Sequence, residues 1–533
     1  MNNNITVNGE HKSDEIDREI KQNLSDIDYD KENKASAFRI LASQSYATLA
    51  TNMLKFSYGA CMGFTTIFLI ELAKKDAEIK VTFAELTWYY YSWVLSVILE
   101  NITTYFFMIP VGSIVGGVVA QWMGSRLLMM LAAAMVVFSW LLYHFATNSS
   151  MVLFAQAING AAGGMTKGPG LTYIAEISQP RLRGTLMSTA TLFYLAGQFF
   201  AVLLGGYLYW RTVALVNLVV PVIGLIMCCF IPHSPHWLAS KNRIEDAQRS
   251  LAWLRGWTTK ECIKSEFETL MNTLEMSRKK TMTDESIGSS SFGDRLKRTV
   301  LPYLHRSFYI PLAVSCYIYF INTFGGSHST QSYAGLIFQQ IKSPLEAHTG
   351  TIILNAGRTL GAVSCLFTIR LVGKRKLIFF SLFGGGVSYA VAAIFNVLME
   401  NNQIDSKKYA WVPTISIIMA IFMIAAGIDK IMHLINSEII PLQYRLVGSG
   451  IGQTFYNLNL ATLNKVFLYV AGYVTLSGMF AGFATINLIG FLTIYFILPE
   501  TEGRSLTEIE EHYSGVRKLT DKKKGDKDND VPA

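Results

Sequence analysis

Long apolar runs, rather than short alternating ones, dominate the chain between residues 50 and 498. A helix needs about 20 apolar residues to cross a lipid bilayer. We therefore predict an all-α membrane protein with twelve transmembrane helices. The predicted spans lie near residues 50–72, 102–122, 127–146, 151–174, 187–209, 213–232, 308–332, 349–371, 376–397, 411–435, 446–473 and 476–498.

Polar stretches divide these spans into two sets of six. The central stretch begins with Ser234 and Pro235, a pair that is typical of a helix N-terminus, so we predict short cytoplasmic helices there. Both ends of the chain are charged and lack a long apolar run, and they are interpreted as cytoplasmic tails. The predicted units are 1–45, 46–232, 233–306, 307–498 and 499–533.

The charge pattern predicts the orientation of the protein. Only 16% of the residues are charged, against about 25% in soluble proteins. Basic residues collect in the loops that follow the even-numbered spans, which by the positive-inside rule places both termini in the cytoplasm. Asn101 and Asn148 would then face outward as candidate glycosylation sites. We expect an integral protein of the plasma membrane, whose partners are the lipid bilayer and a small solute rather than nucleic acid.

The sequence offers no motif for catalysis or for a cofactor. The six cysteines form no CxxC pair, and no His/Cys spacing suggests a metal site. Nucleophile elbows, phosphate-binding loops and paired catalytic carboxylates are also missing. We therefore predict a protein that is not an enzyme and has no cofactor or metal. The sequence leaves the oligomeric state open.

The two halves of the chain contain similar motifs in the same order, which indicates an internal repeat. MGSR at 123–126 follows the second span, and VGKR at 372–375 follows the eighth. Glutamate precedes arginine by seven residues after the fourth span of each half, as Glu176 and Arg183 and as Glu438 and Arg445. Two pseudo-symmetric six-helix halves are typical of transporters that hold their solute at the midplane between the halves.

Four stretches resemble signature motifs of the sugar porter family of the major facilitator superfamily. They are YIAEISQPRLRG at 173–184, HSPHWL at 233–238, VGKRKLIFFS at 372–381 and LPETEGRSLTEIEEHY at 498–513. The residues of these stretches are most similar to those of the insect facilitated trehalose transporter-like group. The resemblance implies the major facilitator fold, with twelve helices in two halves and additional cytoplasmic helices.

The resemblance also implies a cytoplasmic gate, in which charged helix ends bridge the halves when the inner side is closed. An alternative is that these residues only anchor helix ends among lipid headgroups. Several expected charges are replaced, by Gln121, Ser125, Gln156, His233 and Arg370. The candidate gate residues are Arg126, Glu176, Arg183, Lys374, Arg375, Glu438, Arg445 and Glu500.

Positions that bind sugar hydroxyls in the family can be carried over onto this chain, and many of them differ. The family glutamine of span five falls on Thr191, and the asparagine of span eight falls on Arg358. Four ionisable residues fall inside the predicted spans, where such groups are usually paired or functional: Lys167, Arg358, Asp429 and Lys430. The candidate substrate-binding residues are Thr191, Asn322, Thr323, His328, Tyr333, Arg358, Asp429 and His433.

The intramembrane charges leave three interpretations open. Arg358 and Asp429 can form an internal salt bridge, or a charge can select a charged or zwitterionic solute, or the residues can lie in a loop. The leading prediction is a facilitative sugar carrier that works by alternating access. Span one has no mid-membrane aspartate, so the resemblance implies no proton coupling. The alternatives are a same-fold carrier of a charged organic solute and a non-transporting sugar sensor.

Overall fold

Helices account for almost all of the described chain. The computed structural model describes residues 37–72, 90–272, 274–275, 306–440, 445–499 and 512–513. In chain order the helices are α1 (Ala37–Leu72), α2 (Tyr90–Phe145), α3 (Ser149–Ile177), α4 (Pro180–Gly205), α5 (Trp210–Phe230), α6 (Pro235–Ser240), α7 (Ile244–Leu254), α8 (Arg306–Phe324), α9 (Ser327–Ser332), α10 (Ala334–Gln340), α11 (Ala347–Val372), α12 (Lys374–Glu400), α13 (Ser406–Tyr409), α14 (Trp411–Ala425), α15 (Ile428–Ile439) and α16 (Arg445–Ile497).

The two longest helices each contain two spans. Helix α2 breaks at Gly124, where φ is 80° and ψ is 158°, and α16 breaks at Thr475, where φ is 67°. Glycine suits the first break for two reasons. Its positive φ is a conformation that residues with a Cβ rarely adopt, and a Cβ there would lie only 3.0 Å from the Trp237 ring. Counting these parts separately, the described helices supply the twelve predicted spans.

Two spans of the second half are discontinuous, although the apolar pattern alone predicts continuous helices. Span seven is divided into α8, α9 and α10, with a left-handed turn at Gly326. Span ten is divided into α14 and α15 at Gly427. The Ser381 hydroxyl accepts a hydrogen bond from the Ile428 N–H at 3.1 Å, so the break leaves that donor satisfied. Discontinuous helices at the midplane commonly form the binding sites of transporters.

Eight stretches of the described residues are long and apolar enough to cross a membrane. The first of them, Thr104–Phe145, covers 42 residues and includes the break in α2. Helix α1 has one face that is polar and buried, with Ser43, Gln44, Thr48 and Asn52 all almost inaccessible. A polar face inside the bundle indicates that α1 lines the protein interior rather than the lipid.

The outer face of the bundle is apolar. Along α2, Phe107, Val111, Ile114, Val118 and Trp122 recur at helical spacing, and all of them are exposed. An exposed apolar stripe is unfavourable in water but compatible with lipid tails, so we expect this stripe to face the bilayer.

The two halves meet along two helix pairs. Helix α4 packs against α11, and α2 packs against α16. Helices α9 and α10 also pack against α1. Because α9 and α10 form the part of span seven away from the linker, these contacts join the halves on the side of the bundle away from the linker.

The linker between the halves is docked onto the first half. The Ser234 hydroxyl accepts a hydrogen bond from the Trp237 N–H, as the predicted N-cap of α6 requires. The Arg255 side chain is 3% exposed and donates both to Glu266, at 2.5 Å, and to the Ile177 carbonyl, at 3.1 Å. The arginine therefore ties the linker to the end of α3.

Replacing Arg255 by Met should loosen this linker. The change leaves the Glu266 carboxylate without its buried partner, which typically costs about 3–5 kcal/mol. Limited proteolysis should then cut the linker at least about tenfold faster than in the wild type. Arg249→Met is the matched control, because Arg249 pairs with Glu245 and Asp246 at an exposed surface where such bridges contribute about 1 kcal/mol or less. Equal cleavage of both variants would contradict the docking role.

Candidate functional site

A single buried carboxylate organises the centre of the second half. Asp429 lies in the first turn of α15, where the helix dipole favours a negative charge. Its oxygens lie 3.1 Å from the Arg358 guanidinium, 3.0 Å from the Lys430 ammonium and 3.3 Å from His328 Nε2. The Asn322 amide is 3.5 Å away. The sequence interpretation of an internal Arg358–Asp429 pair therefore agrees with the geometry, and the pair is part of a larger cluster.

Aromatic rings border this carboxylate cluster. The Tyr456 hydroxyl lies 2.8 Å from His328 Nε2, and its ring centroid lies 5.5 Å from that of His433. The Tyr319 hydroxyl lies 3.2 Å from His433 Nδ1. These rings place apolar faces next to polar groups, which is the composition of a site for a small polar solute.

Several polar atoms around the cluster have no hydrogen-bond partner, although they are buried. In the Arg358 guanidinium only Nη2 is bonded, while Nε and Nη1 are not. Buried polar atoms are almost always paired in folded proteins, so a group of unpaired ones suggests a place for a polar ligand. The unpaired atoms on α8, α9 and α11 are Asn322 Oδ1, Ser327 Oγ, His328 Nδ1, Ser329 Oγ, Gln331 Oε1, Arg358 Nε and Arg358 Nη1.

Three predicted binding residues lie outside this group. The Thr323 hydroxyl donates to the Tyr319 carbonyl within its own helix, at 2.8 Å. The Tyr333 hydroxyl donates to the Asn464 carbonyl at 2.9 Å. Thr191 lies on α4 and is partly buried. The structure thus brings together Asn322, His328, Arg358, Asp429 and His433 from the predicted set.

The first half also has lysines inside its spans, Lys55 on α1 and Lys167 on α3. Lys55 on α1 is 8% exposed, and its ammonium donates to the carbonyls of Thr166 and Lys167 at 3.1 and 3.3 Å. Sequence reasoning passed over Lys55, although a lysine inside the apolar run of span one was a visible signal. It also passed over Tyr456, which has no distinguishing pattern within its span.

The arginines that follow the second and eighth spans make equivalent hydrogen bonds in the two halves. Arg126 Nη2 donates to the Cys229 carbonyl at the end of span six, at 2.6 Å. Arg375 Nη2 donates to the Tyr495 carbonyl near the end of span twelve, also at 2.6 Å. Each arginine therefore joins the third helix of its half to the sixth, and the internal repeat seen in the sequence is also a repeat of contacts.

The other described gate residues also find partners within their own half. Lys374 donates to Glu438 at 2.7 Å, and Ser234 donates to the Glu176 carboxylate. Arg183 is exposed. Glu500 and the side chain of Arg445 lie outside the described residues. Each of these contacts lies within one half of the chain.

Two remaining predictions concern the surface. The Asn148 side chain accepts a hydrogen bond from the Met151 N–H at 3.0 Å and caps α3, while the side chain of Asn101 lies outside the described residues.

His233 stands where the sugar porter motif has glutamate. Burial, together with the charges of Arg126 and Arg243, lowers its pKa below the usual value, so the ring is neutral at pH 7 and cannot replace an acidic gate residue.

Comparison with known proteins agrees with this architecture. The family model "Sugar (and other) transporter" matches residues 44–513. The facilitated trehalose transporter Tret1 of Apis mellifera ligustica is 26% identical over 491 residues, covering 92% of each chain. Tret1 of Bombyx mori is 26% identical over 477 residues, covering 88% of this chain and 86% of its own.

Solved structures show the same fold at low identity. The xylose transporter XylE from E. coli, in a partially occluded inward open conformation, has a TM-score of 0.68 at 16% identity, with 87% of this chain and 100% of that chain covered. Its inward open form has a TM-score of 0.66 at 15% identity, with 88% and 99% covered. The chain therefore belongs to the sugar (and other) transporter family, and its fold is that of the major facilitator superfamily.

Proposed function

We propose that this protein is a facilitative carrier that moves a sugar across the membrane by alternating access. The observation that supports the proposal is the group of unpaired polar atoms on α8, α9 and α11, next to the discontinuous spans seven and ten. Amide, hydroxyl and imidazole groups can donate to and accept from sugar hydroxyls. The relatives named for facilitated trehalose transport make trehalose and hexoses the first solutes to test.

The mechanism follows from the way in which the halves meet. Contacts of α9 and α10 with α1 join the halves on the side away from the linker, which we take as the outer side, and Lys374, Glu438 and Glu176 have partners within their own halves. A solute entering from the cytoplasmic side would reach Asn322 and His328, and rocking of the halves about the α4–α11 and α2–α16 contacts would then open the outer side. Because the site includes the break in span ten, rotation of α15 against α14 can accompany this movement.

The orientation and location are also proposals. Both termini are placed in the cytoplasm, with the linker and the helix ends that carry Arg126 and Arg375 on the same side, and the membrane is the plasma membrane. The division of the chain into units at residues 232 and 306 is part of the same proposal. An N-terminal epitope on intact cells should be stained only after permeabilisation, and staining of intact cells would overturn the orientation.

The direct test is uptake of labelled trehalose and glucose by liposomes that contain the purified protein. We expect saturable uptake that a pH gradient does not change. Asn322→Leu should raise the half-saturating sugar concentration by about two- to tenfold, the usual cost of one lost hydrogen bond. Thr323→Val is the matched control, because that hydroxyl is bonded to the backbone of its own helix. Absence of uptake by correctly folded protein would overturn the proposal.

A further inference from the structure

Helix α9 is polar along its whole length and is nevertheless buried. Its six residues, Ser327–Ser332, are at most 7% exposed, and each has a side chain that can form hydrogen bonds. Buried polar groups are costly unless they are hydrogen-bonded, so such a segment is retained only where its polar groups have partners. The partners of these side chains therefore indicate what the helix does.

Helices α9 and α11 meet at two successive levels. At the first level, His328 of α9 and Arg358 of α11 both contact Asp429, at 3.3 and 3.1 Å. At the second level, Gln331 Nε2 donates to Asn355 Oδ1 at 2.8 Å. Gln331 follows His328 by three residues and Asn355 precedes Arg358 by three, so the two levels lie about 4.5 Å apart along each helix. The second level therefore adjoins the carboxylate cluster.

The hydrogen bonds at the second level decide which end of the Gln331 amide is free. An amide side chain can present either its oxygen or its N–H groups. Asn355 Nδ2 donates to the Thr351 backbone carbonyl at 2.9 Å, and a carbonyl can only accept. Asn355 must therefore turn its oxygen toward Gln331, and Gln331 must turn its N–H toward Asn355. The Gln331 carbonyl oxygen is left without a partner, although the residue is 1% exposed.

The Asn322 amide is oriented by the same principle. Its Nδ2 lies 3.5 Å from Asp429 Oδ1, and an ionised carboxylate can only accept, so the oxygen of the Asn322 amide is an unpaired atom. Neither Asn322 nor Gln331 can rotate to offer an N–H without losing its bond to an acceptor. Two buried acceptors of fixed orientation need donors from outside the protein, and solute hydroxyls are such donors.

We propose that Gln331 is a specificity-determining residue of this carrier and that Asn355 positions it. The Gln331 carbonyl oxygen accepts a hydrogen bond from one hydroxyl of the solute, so the solute must have a donor at that position. This inference rests on the proposed carrier function and narrows its substrate class to solutes with hydroxyl donors for both Gln331 and Asn322. Neither Gln331 nor Asn355 is among the positions carried over from the sugar porter motifs.

The experiment identifies the hydroxyl that donates to Gln331. Proteoliposomes containing the full chain take up labelled glucose or trehalose, whichever is carried, in competition with analogues that have one hydroxyl replaced by hydrogen or by fluorine. Neither replacement can donate a hydrogen bond. For the wild type we expect at least one position at which both analogues inhibit about tenfold or more weakly than the parent sugar, because a buried acceptor is left unpaired.

Gln331→Met keeps the length of the side chain and removes the acceptor. At one hydroxyl position it should bring the inhibition constants of the parent sugar and both analogues to within about twofold of each other, while the penalties at the other positions remain. Asn355→Leu should reduce the same penalty, because the Gln331 amide is then free to rotate. Thr368→Val on α11 is the matched control and should keep every penalty, since its hydroxyl donates to the Ser364 carbonyl of its own helix at 2.9 Å.

A merely structural role would give a different result. It would lower the amount of folded protein or the maximal rate and leave the ratios between analogues unchanged. The double variant of Gln331→Met with Asn355→Leu removes both partners of the buried bond, so it gives the same readout if the single variants do not fold. For a folded variant that is too slow for uptake, thermal stabilisation of the solubilised protein by the same analogues measures the ratios.

The outcomes separate this inference from the proposed carrier function. Loss of one penalty in both the Gln331 and the Asn355 variants would support the inference. Saturable sugar uptake with the same penalties in the wild type and in the Gln331 variants would overturn it and leave the sugar carrier intact. No uptake of glucose or trehalose by folded wild-type protein would overturn both.

Discussion

Replacing Asp429 by Asn should abolish transport and destabilise the second half. The substitution removes the carboxylate that pairs with Arg358 and Lys430, and among the described residues no other carboxylate pairs with them, so both cations lose their counterion. Breaking a buried ion pair by removing one partner typically costs about 3–5 kcal/mol. Thermal unfolding in detergent, followed by intrinsic fluorescence, measures the stability, and liposome uptake measures the function.

Asp429→Glu is the control for this change, since it keeps the charge and adds one methylene. We expect it to retain most of the stability and part of the uptake. The cluster would lose its organising role if Asp429→Asn unfolded at the same temperature as the wild type. Because His328 and Asn322 also contact the carboxylate, the asparagine variant should displace the polar atoms proposed to bind the solute.

Adding a single methyl group at Gly112 should prevent α2 and α3 from packing. A Cβ there would lie 2.0 Å from the Ala161 carbonyl oxygen, and a Cβ at Gly160 or Gly164 would lie 2.4 or 2.1 Å from backbone oxygens of α2. Both helices carry a small-xxx-small motif, which allows this close approach in membranes. Gly112→Ala should therefore destabilise the protein by about 3 kcal/mol or more, at the upper end of overpacking costs.

Gly117 provides the matched control on the same helix, because no atom lies within 4 Å of a Cβ built there. Gly117→Ala should be neutral, or stabilising by up to about 1 kcal/mol through helix propensity. The yield of monodisperse protein and the midpoint of thermal unfolding report the difference. Similar behaviour of the two alanine variants would show that α2 and α3 can separate at little cost.

The sequence by itself determined the architecture. A membrane span requires a continuous apolar run, and such runs can be located without knowledge of their neighbours. The repeated motifs identified the two halves, and Ser234 with Pro235 identified the start of a linker helix, because N-capping depends on adjacent residues only. Even the pairing of Arg358 with Asp429 could be foreseen as one alternative, since charges inside a membrane need partners.

Only the tertiary structure decided which side chains meet. Apolar runs do not reveal that spans seven and ten break at Gly326 and Gly427, because those breaks are stabilised by groups far away in the chain, such as the Ser381 hydroxyl. For the same reason the sequence suggested Thr323 as a binding residue, while the structure turns its hydroxyl to the backbone. It also passed over Lys55, whose position at the centre depends on how α1 packs against α3. Hydropathy is a property of a segment, whereas a binding site is defined by distances between segments that only the folded chain fixes.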